Sequence, residues 1–145
     1  MNILLANDHA GTDLKNEIKK TLESKGYNVR NLGCDSNESV DYPDYAHPLA
    51  EEVSKDNKLK GIIICGSGIG VSMSANKHKG VRSALCWNQE TAKLSRSHNN
   101  ANVLSLPARF LDKKEAVKIV DIFLNTEFEG GRHERRVEKI NKQTP

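Results

Sequence analysis

Aromatic side chains are scarce in this 145-residue chain: three Phe, three Tyr and one Trp amount to 5% of it. That is too few rings for a stacking platform that would grip single-stranded nucleic acid. Charge of one sign is also lacking. The 22 Lys and Arg stand against 19 Asp and Glu, a net +3, well short of the basic footprint of a nucleic-acid binder. No apolar run approaches the ~18 residues of a membrane span. Cysteine is limited to Cys34, Cys65 and Cys86, with no CxxC pair. An odd, scattered set argues against a disulfide framework and for free thiols in a reducing compartment. The opening MNILLAND carries no basic leader, so a cytoplasmic location is expected.

What is present is the patterning of a globular chain. At roughly 100–200 residues per domain, residues 1–145 are expected to form one. Short apolar runs at 2–6, 29–32, 61–65, 81–86 and 102–106 read as strands. Residues 12–25 follow a helical period, with Leu14, Ile18 and Leu22 on one face. Further helices are expected over 44–55, from the glycine loop through Asn76, over 88–97, over 112–125 and, in a charged C-terminal segment, over about 128–142. In the helix at 112–125, Ala116, Val117, Val120 and Phe123 are expected to face inward. Strand and helix alternate five times. That order predicts an α/β fold with a parallel sheet covered on both faces and right-handed crossovers. Ligands in such folds bind beyond the carboxyl ends of the strands. The residues there are Asp8-His9, Cys65 to Gly70, Trp87-Asn88 and Pro107-Ala108-Arg109.

The segment Cys65-Gly66-Ser67-Gly68-Ile69-Gly70 is the most informative. Alternate glycines after a buried strand let the backbone turn sharply and present successive N–H groups, a nest for an anion or oxyanion. A tight packing turn is the plain alternative. The spacing is GxGxG, not the dinucleotide GxGxxG, and Val71-Ser72 follows where a P-loop needs Lys-Ser/Thr. Cys65 sits where a helix N-terminus stabilises a thiolate, although a buried structural cysteine fits equally. Cys34 and Cys86 lack such surroundings. Asp8-His9 can share proton transfer or bind phosphate, or simply cap a turn. His98, followed by Asn99, Asn100 and Asn102, suits general-acid chemistry or a polar helix exit. Arg132 and Arg136 share a helix face and could clamp a phosphate, but a solvated basic face is the commoner origin of such a run. His47, His78 and His133 fall in no cluster. No Cys, His or acidic spacing reads as a metal-ligand set.

Five segments occur in order: Asp8-His9-Ala10-Gly11, Cys65 to Gly70, Ser74-Ala75-Asn76-Lys77, Ser97-His98-Asn99-Asn100-Ala101-Asn102-Val103-Leu104 and Glu129-Gly130-Gly131-Arg132-His133. Together they resemble the type B ribose-5-phosphate isomerases of the ribose/galactose isomerase family, over essentially the whole chain. The resemblance implies a three-layer αβα fold with a five-stranded parallel Rossmann-like sheet, and a homodimer that shares its active sites, sometimes a tetramer. It implies interconversion of D-ribose 5-phosphate and D-ribulose 5-phosphate with no cofactor, no metal, no nucleic acid and no membrane. Cys65 would be the base, Ser67 would assist proton transfer between oxygens, and the amides of Gly66, Gly68, Ile69 and Gly70 would hold the enediolate. His98 and Asp8 would open the sugar ring and Asn99 would position the sugar. His9, Arg109, Arg132 and Arg136 would hold the phosphate. His98, Asn99 and Arg109 would come from the partner chain. An isomerase of galactose 6-phosphate or allose 6-phosphate is the nearest alternative. A non-catalytic sugar-phosphate binding protein is the alternative outside enzymology.

Overall fold

The apolar runs of the sequence become the strands of one parallel sheet in the computed structural model, which describes residues 1–142. The strands are β1 (Asn2–Asn7), β2 (Asn28–Asn31), β3 (Lys60–Cys65), β4 (Ser83–Leu85) and β5 (Val103–Pro107). Their spatial order is β2-β1-β3-β5-β4, and every neighbouring pair is parallel. The helices are α1 (Thr12–Ser24), α2 (Pro43–Lys55), α3 (Ile69–Ala75), α4 (Gln89–Ser97), α5 (Lys113–Asn125) and α6 (Arg132–Asn141).

Side chains alternate across a strand, and here both faces are covered. Ile3, Leu5, Ile62, Ile64, Leu104 and Leu106 pack with Leu14, Ile18 and Leu22 of α1 and Ala116, Ile119 and Phe123 of α5. Leu4, Ala6, Ile63, Cys65 and Val103 pack with Ala46, Leu49 and Val53 of α2 and Val71 and Ala75 of α3. The layers are therefore αβα, as expected.

Several boundaries differ from the sequence reading. The C-terminal helix begins at Arg132, not near 128, because Gly130 (φ 69°) and Gly131 (φ 56°) hold left-handed backbone just before it. β4 is shorter than the apolar run 81–86. The amides of Arg82 and Ser83 are taken by the side chains of Asn102 and Asn76. β5 does not stop before Pro107: that residue lies in register with Cys65, and the next donor, Ala108 N–H, reaches the Cys65 carbonyl at 2.9 Å. In α5 it is Ile119 that is fully buried, while Val117 is only partly so. No helix of the described residues is long and apolar enough to cross a membrane.

The topology has a consequence for the site. Helices return antiparallel to the strands, so the end of α4 lies at the amino edge of the sheet. Gly61 N–H, at the start of β3, bonds the Asn102 carbonyl there at 2.9 Å. The glycine loop follows the other end of β3. Six residues of strand rise roughly 20 Å in all.

Candidate active site

A cavity opens at the carboxyl edge. Asp8, His9, Tyr42, Cys65, Gly66, Ser67, Ile69, Gly70, Met73 and Arg109 line about 390 Å³. β1, β3 and β5 are hydrogen-bonded neighbours, so the residues after their last positions converge. Cys65 is 4% exposed, part of the apolar layer under α2 and α3 yet open to the cavity. Its Sγ accepts the Gly68 N–H at 3.2 Å, a donor placed to partner negative charge on sulfur. Ser67 Oγ accepts the Ile69 N–H at 3.2 Å, which leaves its proton for another acceptor.

Two glycines of this loop are required by what surrounds them. Gly68 has φ 73°, and a Cβ there would lie 2.6 Å from Leu85 Cδ1 and 3.0 Å from the Leu106 carbonyl carbon. The Gly68 carbonyl is fixed by Ser105 Oγ–H at 2.5 Å. A Cβ on Gly66 would lie 2.9 Å from Arg109 Cζ, so the missing side chain lets the guanidinium rest on the loop. Gly68→Ala should therefore cost about 2–4 kcal/mol of stability, as left-handed strain and a clash add. Urea unfolding measures it; a loss below about 0.5 kcal/mol would mean that the loop relaxes freely.

Asp8 Oδ1 accepts the Ala10 N–H at 2.9 Å. The carboxylate thus caps the single turn at 9–11, as the plain reading has it, and also faces the cavity. His9 Nδ1 accepts the Val40 N–H at 3.2 Å, which leaves Nε2 as its donor. Arg109 belongs to this cavity in its own chain. The expectation that the partner supplies it does not hold, because β5 pairs directly with β3. The Arg109 N–H bonds the Gly66 carbonyl at 3.0 Å, and Pro107 does not divert the loop.

A second group forms at the amino edge. His98 caps the end of α4, its N–H bonded to the Leu94 carbonyl at 3.0 Å. Its ring stacks on His133 of α6 at 4.2 Å between centroids and 13° between planes. Glu129 N–H bonds the Ser97 carbonyl at 3.0 Å and ties the approach to α6 to the end of α4. Arg132 and Arg136 are exposed on α6, and Asn99 is exposed beside His98. None of the four faces the Cys65 cavity of the same chain. His133, which the sequence placed in no cluster, is 8% exposed. Burial first, then the neighbouring His98 ring and the Arg132 guanidinium, hold its imidazole below the usual histidine range.

His98, Glu129 and His133 each bring one ligand-capable atom within 4.8 Å of the others. They are the described residues that could gather round a cation, a grouping that spacing along the chain does not reveal. The rings are nearly parallel, so their in-plane lone pairs run side by side instead of converging. Tyr42, Met73 and Ser105 were also missed. A lone Ser inside the apolar strand 103–107 was the one available signal for Ser105. The other two cysteines, Cys34 and Cys86, behave as the sequence suggests: both are free and buried, and burial pushes the Cys86 thiol up.

Residues 3–140 match the model of the ribose/galactose isomerase family. A relative from Mycoplasma genitalium, named probable ribose-5-phosphate isomerase B, is 51% identical over 143 residues, covering 96% of this chain and 93% of its own. The crystal structure of ribose-5-phosphate isomerase B from the same organism with bound ribulose-5-phosphate superposes with a TM-score of 0.94 at 49% identity, covering 97% of this chain and 93% of that one. A ribose 5-phosphate isomerase structure from Thermotoga maritima gives 0.93 at 48% identity, covering 97% of both chains.

Proposed function

The chain belongs to the ribose/galactose isomerase family, among its type B ribose-5-phosphate isomerases, and as an aldose–ketose isomerase of that kind we propose that it interconverts D-ribose 5-phosphate and D-ribulose 5-phosphate through a cis-enediolate, with Cys65 as the base and no metal. The observation that carries the mechanism is the Cys65 sulfur, held by the Gly68 N–H inside a cavity shared with Asp8, His9 and Arg109.

The chemistry follows from the placement. Ring opening needs a proton on the ring oxygen and removal of one from the C1 hydroxyl; His98 supplies the first and Asp8 accepts the second. The Cys65 thiolate then takes the proton from C2 and returns it to C1. Between these steps negative charge develops on the sugar oxygens. The N–H groups of the loop from Gly66 to Gly70 face that charge, and Ser67 passes the hydroxyl proton between O1 and O2. A general base of this kind contributes about 10²–10⁴-fold and an oxyanion donor about 10²–10³-fold. The phosphate, remote from the reacting carbons, is held by His9 Nε2, Arg109, Arg132 and Arg136, and its binding positions the reacting centre.

One chain cannot assemble this set, since Cys65 and His98 stand at opposite edges of its sheet. A two-fold dimer solves the problem. In an isologous contact, patch i meets patch j while j meets i, so the amino-edge group of each chain completes the carboxyl-edge cavity of the other. The surfaces that such a contact would cover carry exposed apolar side chains beside the charged ones. Tyr42, Ile69 and Met73 rim the cavity at 41%, 48% and 66% exposure, and Ile140 of α6 is 55% exposed. His98, Asn99, Arg132 and Arg136 would then come from the partner, and Arg109 from the chain that holds Cys65.

Incubation with ribose 5-phosphate in the presence of a chelator should yield ribulose 5-phosphate; a folded, dimeric protein that gives none would remove the proposal. Arg136→Ala should raise KM for ribose 5-phosphate by about tenfold or more, the loss of a charge-assisted contact. Phosphate-free ribose should be turned over as before, and equal losses for both sugars would argue against a phosphate clamp.

A further inference from the structure

Apart from the proposed catalytic residues, three cations meet at the amino edge without a counter-charge among the described residues. Lys60 begins β3, Arg82 precedes β4 and Arg96 lies in the last turn of α4. Arg96 is 8% exposed, and the donors it engages meet neutral acceptors. Nε reaches the Thr126 carbonyl at 3.1 Å, and one Nη reaches Asn100 Oδ1 at 2.9 Å and the Ala101 carbonyl at 2.6 Å. Arg82 is similar. Its Nε donates to the Asn100 carbonyl at 2.9 Å, and Nη1 donates to the Gly80 carbonyl at 3.4 Å and Asn141 Oδ1 at 3.0 Å. Its Nη2 and the Lys60 ammonium have no hydrogen-bond acceptor among the described residues. No carboxylate there forms an ion pair with any of the three.

Beside two of them lies a cavity of about 360 Å³, lined by Lys60, Arg82, Ser54, Asn57, Asn100 and Asn102 together with apolar and backbone atoms. Every polar side chain in that lining other than the two cations is neutral. Asn100, in left-handed backbone at φ 48°, touches both guanidiniums and brings no charge to either. Like charges that are partly withdrawn from water raise one another's free energy. Burial, then Arg96 and Arg82, hold the Lys60 ammonium below the usual lysine range. The molecule thus presents an unoffset positive charge, free donors and space for a small ligand in one place.

We propose that this cavity binds a phosphate-sized dianion, held by Lys60 Nζ and Arg82 Nη2 with the Asn57 side-chain amide as a neutral donor. Phosphate combines the double charge and several acceptor oxygens that such donors need. An anion here would tie the start of β3 to the turn at 99–102, next to Asn99 and His98. The site would thus steady the half of the active centre that one chain lends to the other. It stands independently of the catalytic reading, because neither Lys60 nor Arg82 has a part in the proposed mechanism.

The test is calorimetric titration of the dimer with inorganic phosphate at constant ionic strength. Wild type should bind two phosphates per chain, one in the active centre and one at this edge. Arg136→Ala should retain the edge site, so the two losses are distinguishable. Lys60→Ala should lose one phosphate while its kcat in phosphate-free buffer stays at the wild-type value. Asn100→Asp supplies the missing counter-charge from within and should weaken the edge site at least tenfold. The same variant should raise Tm in phosphate-free buffer and shrink the stabilisation by phosphate, which for wild type at ten times the dissociation constant is about 3–6 °C. Glycerol 3-phosphate as a second titrant separates the sources: a site for free phosphate prefers the inorganic ion at least tenfold, and a site for phosphate esters binds both. Wild-type stoichiometry and affinity in both Lys60→Ala and Asn100→Asp, or one phosphate per wild-type chain that Arg136→Ala removes, would overturn the assignment.

Discussion

Cys65→Ala should lower kcat by about 10³–10⁴-fold while KM for ribose 5-phosphate changes less than about threefold. The size of the loss follows from the absence of a second base within the loop. The residues after Cys65 are glycines, Ser67 and Ile69, and none can hold a carbon-derived proton at neutral pH. The small effect on KM follows from the proposed phosphate contacts, which are assigned to other residues. Exchange of solvent deuterium into the sugar should vanish with turnover, because both depend on the same sulfur. A kcat within a few-fold of wild type would place the base elsewhere, with Asp8, the other buried acid-base group of the cavity, as the next candidate.

His98→Ala should lower kcat by about 10²–10³-fold, the worth of a positioned general acid. The residual rate has a physical origin: the furanose opens slowly in water without help, and the isomerisation itself remains intact in the variant. Pre-opened substrate should therefore restore the rate. With an acyclic ribose 5-phosphate analogue, His98→Ala and wild type should differ by only a few-fold. Equal losses on cyclic and acyclic sugars would assign His98 to the enediolate step instead of ring opening. The stacked His133 ring gives His98 a rigid, neutral neighbour at 4.2 Å, which fixes the direction of the donor without adding charge.

What the sequence disclosed and what it withheld divide along physical lines. The strands and helices were legible because each buries a face whose period is local: Leu14, Ile18 and Leu22 need no knowledge of their partners. The loop from Cys65 to Gly70 was legible for the same reason, since its glycines answer to a turn within six residues. The start of the last helix was misread because Gly130 and Gly131 act through positive φ, which a charge pattern does not report. Arg109 was assigned to the wrong chain because the order β2-β1-β3-β5-β4 brings β5 beside β3 across a jump in sequence, and strand order is a property of the whole sheet. His133 was overlooked because its partner, His98, is 35 positions away and joins it only when α6 folds back on the end of α4. Tyr42 reaches the cavity from the loop before α2, a contact no motif marks.

The sharing of one active centre between two chains is the claim on which the rest stands, and mixed dimers test it directly. Cys65→Ala and His98→Ala are each nearly inactive alone. In a hybrid dimer, one centre carries both lesions and the other carries neither. Random exchange of the two inactive proteins in equal amounts should therefore recover about one quarter of wild-type activity, since half of the dimers are hybrid and each has one intact centre. If every centre were built from a single chain, each would keep one lesion in any mixture, and the mixed sample would stay as inactive as its parents.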